Sequence, residues 1–157
     1  MDLIVELPDA EATARAGSAM APLLRGGTIV TLQGELGAGK TTLVRGVLRA
    51  LGWTGPVKSP SYGLVEHYPL SSLYFYHIDF YRFASPSEWE NAGLAECFRH
   101  DSVCMIEWPE RVAGLLPAPD VVLVLAHSNN GRRLRAMAHG EVGRQCLCAL
   151  AATFPDR

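Results

Sequence analysis

The run Gly34-Glu35-Leu36-Gly37-Ala38-Gly39-Lys40-Thr41-Thr42 constrains this chain more than any other stretch. An apolar segment, Thr28 to Gln33, precedes it, and a helix-like pattern, Thr41 to Leu51, follows it. Strand, glycine-rich loop and helix in that order, with the spacing G-x-x-x-x-G-K-T, point to an α/β fold whose loop cradles phosphate. Gly34, Gly37 and Gly39 let a tight loop turn its N–H groups inward, with no Cβ between them and an anion. The loop ends on a helix N-terminus, where unpaired N–H groups and the macrodipole favour negative charge. A nucleoside triphosphate is the ligand this pattern implies, held by the loop from Gly34 through Thr42. Lys40 is expected to reach the β- and γ-phosphates, Thr41 to ligate Mg²⁺, and Thr42 to bond a further phosphate oxygen.

The helix after the loop places Leu43, Val44, Val47, Leu48 and Leu51 on one face, and Gly52 supplies its stop. Arg45 and Arg49 fall on the opposite face and read as solvated charge. With 157 residues and 48% apolar content, one well-cored domain is expected over 1–157. The net charge of −2 advertises no broad basic surface for nucleic acid. The N-terminal Met1-Asp2-Leu3 lacks the basic start of a signal peptide, and no apolar run approaches the ~20 residues that span a bilayer. A cytoplasmic protein without membrane attachment is expected. Cys97, Cys104, Cys146 and Cys148 form no C-x-x-C pair and no zinc spacing, so they read as reduced thiols and not as a structural zinc site.

Along the chain, Leu3 to Leu7 reads as a strand and Asp9 as the N-cap of a helix reaching about Leu24. Tyr62 to Tyr68 and Leu73 to Tyr81 read as strands joined closely enough to pair antiparallel. Ser85-Pro86-Ser87-Glu88 has the form of a capping box, so a helix is expected to start there. Val103 to Trp108 is a strand and Pro109 to Leu116 a short helical piece. Val121 to Ala126 and Arg132 to Ala138 flank Ser128-Asn129-Asn130-Gly131, where Asn-Gly signals a hairpin. Glu141 to Thr153 is a terminal helix. The sum is a single P-loop α/β domain with a mixed parallel and antiparallel sheet flanked by helices.

A phosphate loop needs an acidic partner for Mg²⁺, normally at the carboxyl end of a neighbouring apolar strand. Val103-Cys104-Met105-Ile106-Glu107 has that form, which makes Glu107 the candidate metal and catalytic carboxylate. In Tyr76-His77-Ile78-Asp79-Phe80-Tyr81-Arg82, strand alternation puts His77, Asp79 and Tyr81 on one face. Asp79 is a second catalytic candidate, positioning the attacking water or a metal-bound water; a structural pair with His77 or Arg82 is the rival reading. His77 reads equally well as a hydrogen-bonded strut. Trp108 leaves the sheet beside this region and can stack on a nucleotide or a partner, where a core tryptophan is the alternative.

Taken together, GELGAGKTT, VKSPSYGLVEHY, LYFYHIDFYR, EWENAGLAECF and VCMIEWPERV resemble, in order and spacing, the TsaE family of bacterial tRNA threonylcarbamoyladenosine biosynthesis ATPases, over roughly Pro8 to Arg135. The resemblance implies an ATPase using ATP and Mg²⁺, which binds the TsaB–TsaD pair and meets tRNA only through that complex. It also implies a switch-like loop at Ser59-Pro60-Ser61-Tyr62 and a second at Glu107-Trp108, with Asp79, Glu107 and Trp108 in hydrolysis, metal binding and nucleotide contact. Asp9, Thr13 and Arg132 are implied on the base or ribose side. Family members usually carry threonine where this chain has Ser61, and often where it has Gly63. Two other readings of the same motif stand beside this one: a small-molecule kinase, whose lid the cluster Arg132, Arg133 and Arg135 suits poorly, and a non-catalytic ATP-dependent switch.

Overall fold

The computed structural model describes residues 1–60, 64–85 and 87–155. One seven-stranded sheet organises them: β1 (Asp2–Leu7), β2 (Ile29–Gln33), β3 (Val65–Pro69), β4 (Tyr74–Asp79), β5 (Ser102–Glu107), β6 (Val121–Ser128) and β7 (Gly131–Ala138). Their spatial order is β1-β7-β6-β2-β5-β4-β3. The four central strands, β6, β2, β5 and β4, run parallel, while β3 pairs antiparallel at one edge and β7 and β1 at the other. The mixed sheet expected from the sequence is thus present. Parallel strands must be covered on both faces, and both coverings are evident. Helices α1 (Ala10–Met20), α2 (Lys40–Ala50) and α4 (Gly140–Thr153) supply Ala16, Met20, Leu43, Val44, Val47, Leu48, Leu147 and Leu150 to one face. The segment after β4 supplies Phe80, Phe83, Leu94 and Val112 to the other.

Helix α1 and helix α2 pack unusually closely because glycine stands at the contact. A Cβ at Gly17 would lie 2.2 Å from the Leu43 carbonyl oxygen, and one at Gly46 would lie 2.1 Å from that of Ala14. The Ser18 hydroxyl spans the same seam, donating to the Gly46 carbonyl at 3.2 Å. Of the expected apolar face of α2, Leu43, Val44, Val47 and Leu48 are buried and Leu51 is partly so; Arg45 and Arg49 are exposed, and Gly52 ends the helix in the left-handed region at φ 99°.

Several boundaries differ from expectation for local reasons. The first helix is α-helical only to Met20 and tightens to a 3₁₀ turn over Ala21–Leu23, since Pro22 has no N–H for the next α-helical bond. The strand expected from Tyr62 cannot include Leu64, whose φ of 67° is incompatible with extended backbone, and β3 begins at Val65; Ser61, Tyr62 and Gly63 lie outside the described residues. The helix expected at the capping box, α3, covers only Glu88–Ala92. The Ser85 and Ser87 hydroxyls bond each other at 2.7 Å instead of capping, and Glu88 reaches back to the Ala84 N–H at 3.3 Å. Pro86 lies outside the described residues. The helical piece at Pro109 is a 3₁₀ turn ending at Val112.

The β6–β7 turn is a two-residue loop set one residue earlier than Asn-Gly implies: Ser128 pairs with Gly131, so Asn129 and Asn130 are the loop residues, Asn129 with φ 51°. Gly131 is glycine for another reason. A Cβ there would meet the Leu7 carbonyl at 2.3 Å, where the turn passes the end of β1.

The outer face of β1 and β7 is solvated. Arg133 pairs with Glu6 and Arg135 with Asp2, all about half exposed, and such pairs add little to stability. Cys97, Cys104 and Cys146 are buried and Cys148 is exposed. Burial pushes the Cys104 thiol up to about 12 and that of Cys146 to about 11. A thiol reagent at neutral pH is therefore expected to modify one of the four cysteines rapidly in the folded chain and all four after denaturation. A second fast thiol before unfolding would contradict this packing. No helix among the described residues is long and apolar enough to cross a membrane.

Candidate functional site

The loop between β2 and α2 takes the shape that its glycines permit. Gly34, Gly37 and Gly39 have φ of 151°, 79° and 103°. At Gly34 a Cβ would press on the Leu125 carbonyl at 2.6 Å, so a side chain there would displace the loop from β6. Gly39 occupies the N-cap position of α2 and offers no side chain, which leaves the first-turn N–H groups of the helix to whatever binds outside. Ala38 packs into the core, and Glu35 and Leu36 are exposed.

In front of this helix end lies a cavity of about 440 Å³. Leu36, Gly37, Gly39, Lys40, Thr41 and Thr42 form its floor. Asp79 and Glu107 enter from β4 and β5, while Asp9 and Thr13 of α1 and Arg132 of β7 form a further wall. Of the residues singled out from the sequence, Gly34, Glu35, Ala38, His77 and Trp108 do not line it; the first three belong to the loop, His77 contacts Glu107, and Trp108 stands against Lys40. Ser59, Tyr81 and Asn130 also line the cavity. Sequence reasoning assigned Tyr81 and Asn130 no role there, because only the ends of β4 and of the β6–β7 turn bring them in. A larger groove, about 1000 Å³, lies beside β1 and the C-terminal residues, but its Glu6 and Arg133 satisfy each other and it holds no loop lysine. Lys40, Asp79 and Glu107 all line the smaller cavity, and none of them lines this groove.

The Lys40 ammonium is 5% exposed. It donates to the Gly34 carbonyl at 2.5 Å, stands 3.4 Å from Glu107 Oε1, and lies 4.6 Å from the centre of the Trp108 ring. Parallel pairing sets Asp79 opposite Glu107, and alternation puts both carboxylates and His77 on the face towards α2. The His77 ring meets Glu107 Oε2 through Nε2 at 2.5 Å. Burial alone would raise the Glu107 carboxyl, but the His77 hydrogen bond and the Lys40 charge overrule it and hold the group below the usual glutamate range. Asp79 goes the other way. Burial raises it, the Tyr81 N–H donating to Oδ1 at 2.8 Å opposes, and the Glu107 charge adds to the rise. Neighbouring carboxylates are thus driven apart, one firmly ionised and one with greater proton affinity.

Asp9 caps α1 by accepting from the Ala12 N–H at 2.8 Å, as expected, and the buried Thr13 hydroxyl points to the Asp9 carbonyl at 3.4 Å. Arg132 donates to the carbonyls of Ala38 and Gly37 at 3.0 Å each, and to that of Gly131 at 2.9 Å. Its guanidinium thus grips the back of the loop as well as lining the cavity. Trp108 holds the left-handed conformation at φ 55° and ψ 49°, a strained geometry for a bulky residue. Its ring packs on Tyr81 at 5.0 Å, and the Arg111 guanidinium lies over both rings.

A nest of N–H groups with a buried lysine on one side and two carboxylates on the other is the site of a phosphate-loop α/β protein. Comparisons with known proteins give the family. The family model described as threonylcarbamoyl adenosine biosynthesis protein TsaE matches residues 7–135, and the chain belongs to that family. It is 38% identical over 150 residues to the tRNA threonylcarbamoyladenosine biosynthesis protein TsaE of Haemophilus influenzae, covering 92% of this chain and 95% of that one. The protein of the same name from Treponema pallidum is 41% identical, over 79% of this chain and 91% of its own. The crystal structure of YdiB from Bacillus subtilis superposes with a TM-score of 0.81 at 27% identity, covering 98% of this chain and 96% of that one.

Proposed function

We propose that this chain is a single-domain, cytoplasmic ATPase, dependent on Mg²⁺, that supports the TsaB–TsaD complex in threonylcarbamoyladenosine modification of tRNA. The observation that carries the reading is the meeting of Lys40 with Glu107 and Asp79 at the head of α2. A cavity of about 440 Å³ suits a nucleotide. The donor set also suits magnesium. The Thr41 hydroxyl and the Glu107 carboxylate are hard oxygen ligands, and a metal shared with phosphates needs only one or two carboxylates from the protein.

In this reading the loop N–H groups and the first turn of α2 bind the phosphates, and Lys40 turns from Glu107 to the β- and γ-phosphates. Thr41 and Glu107 hold Mg²⁺, which when bound neutralises charge developing on the phosphoryl oxygens. Asp79, with its greater proton affinity, orients the attacking water and accepts its proton. Asp9, Thr13 and Arg132 supply the wall for base and ribose. The pathway comes from the names of the Haemophilus influenzae and Treponema pallidum relatives, both of which print the same tRNA modification. The kinase alternative loses its candidate lid, since Arg133 and Arg135 are paired with β1 and Arg132 grips the loop.

The test is Mg²⁺-dependent ATP hydrolysis by the purified chain, alone and with TsaB and TsaD, with Lys40→Ala reporting contamination. Partner-stimulated turnover that falls to background in the variant is expected. Binding without turnover in either condition would overturn the ATPase reading in favour of a switch, and turnover only on adding a metabolite would favour a kinase.

A further inference from the structure

We propose that His77 is a positioning residue, which fixes the Glu107 carboxylate so that one oxygen faces the cavity; the inference rests on the metal role given to Glu107 above. His77 stands in the middle of β4 and is 0% exposed. In the β4–β5 ladder it lies opposite Met105, so its ring reaches forward by one side-chain step on the same face to Glu107. Nε2 to Oε2, at 2.5 Å, is the ring's hydrogen bond; Nδ1 is buried and has no partner among the described residues. An ionised carboxylate only accepts, so Nε2 carries the hydrogen and Oε2 is held from behind. Oε1 is left facing Lys40 at the longer distance of 3.4 Å, the contact most readily exchanged when the lysine turns to phosphate.

Packing alone does not account for histidine at this position. Phe75 and Met105, on the same face of the sheet, are fully buried, and an apolar side chain would fill the space without stranding a polar nitrogen. A stranded nitrogen in a tightly packed strand is tolerated where the other nitrogen performs a task. The task here is to remove the freedom of a flexible glutamate. Partners behind a ligating carboxylate typically change metal affinity or activity by about tenfold to a hundredfold.

The test compares His77→Gln, whose amide nitrogen can replace the Nε2 donor, with His77→Leu, which fills the space without one. ATP binding is measured by calorimetry with EDTA and again across a MgCl₂ titration, alongside thermal unfolding. The leucine variant is expected to need about tenfold to a hundredfold more Mg²⁺, with binding in EDTA unchanged, and glutamine is expected to restore most of the loss. A leucine variant with the wild-type Mg²⁺ requirement would overturn the proposal. So would equal losses in both variants that extend to binding in EDTA, because His77 would then serve the fold alone. Wild-type ATP binding that is indifferent to Mg²⁺ would overturn the reading of the cavity itself, before any variant is compared.

Discussion

Asp79→Ala is expected to leave ATP binding within about threefold of wild type while lowering partner-stimulated turnover by about a hundredfold or more. The separation follows from where the side chain stands. Asp79 is 6% exposed, lines the cavity, and among the described residues accepts only the Tyr81 N–H, so no described residue of the phosphate loop hydrogen-bonds to it. Removing it also takes a negative charge away from Glu107, which does not disfavour an anionic ligand. Turnover loses the group that orients water. Undiminished turnover would sink the assignment.

Stability supplies an independent check through Asp79→Asn, which keeps the acceptor for Tyr81. Because the folded-state pKa is raised, the native chain holds this proton more tightly than the unfolded one. That stabilisation is complete below the ordinary aspartate pKa and is lost as pH rises through the folded value. At neutral pH the asparagine variant is therefore expected to unfold at the same or a higher temperature, with any gain disappearing in acid. A lower melting temperature at neutral pH would show that the ionised carboxylate is welcome in the fold.

Gly46→Ala is expected to produce the largest loss of stability from a single methyl group. Two effects compete. Alanine is the better helix former by about 1 kcal/mol, but its Cβ would stand 2.1 Å from the Ala14 carbonyl oxygen and 2.8 Å from the carbonyl carbon. Backbone cannot rotate aside as a side chain tip can, so overpacking on the order of 3 kcal/mol wins. The melting temperature should fall by roughly 5–10 °C. Thermal unfolding monitored by circular dichroism measures this directly, and an unchanged or raised midpoint would mean that α1 yields to the methyl without cost.

The parts of the site legible from sequence were those written locally. The loop from Gly34 to Thr42 encodes its own geometry, and a carboxylate ending an apolar run, as Glu107 does, needs no tertiary knowledge to be noticed. Alternation was enough to place His77 and Asp79 on one face. What alternation cannot supply is register between strands. The pairing of His77 with Glu107 depends on β4 and β5 being parallel neighbours with Asp79 opposite Glu107, a fact settled by packing around both. Tyr81 and Asn130 reach the cavity for the same reason, from elements distant in sequence.

Arg132 was legible as a residue of the site, but its grip on the Gly37 and Ala38 carbonyls was not, since nothing local ties β7 to the loop. The helix at Glu88 was mistimed because Ser85 and Ser87 bond one another, a choice that the capping pattern leaves open. Nothing in the sequence singles out Gly17 or Gly46. Their value appears once two helices are laid side by side.

That contact also decides which parts of the molecule can move. With the backbones of α1 and α2 touching, the wall bearing Asp9 and Thr13 and the floor bearing Lys40 and Thr41 behave as one rigid jaw. Parting that wall from that floor would mean pulling backbone off backbone, with no side chain between them to yield.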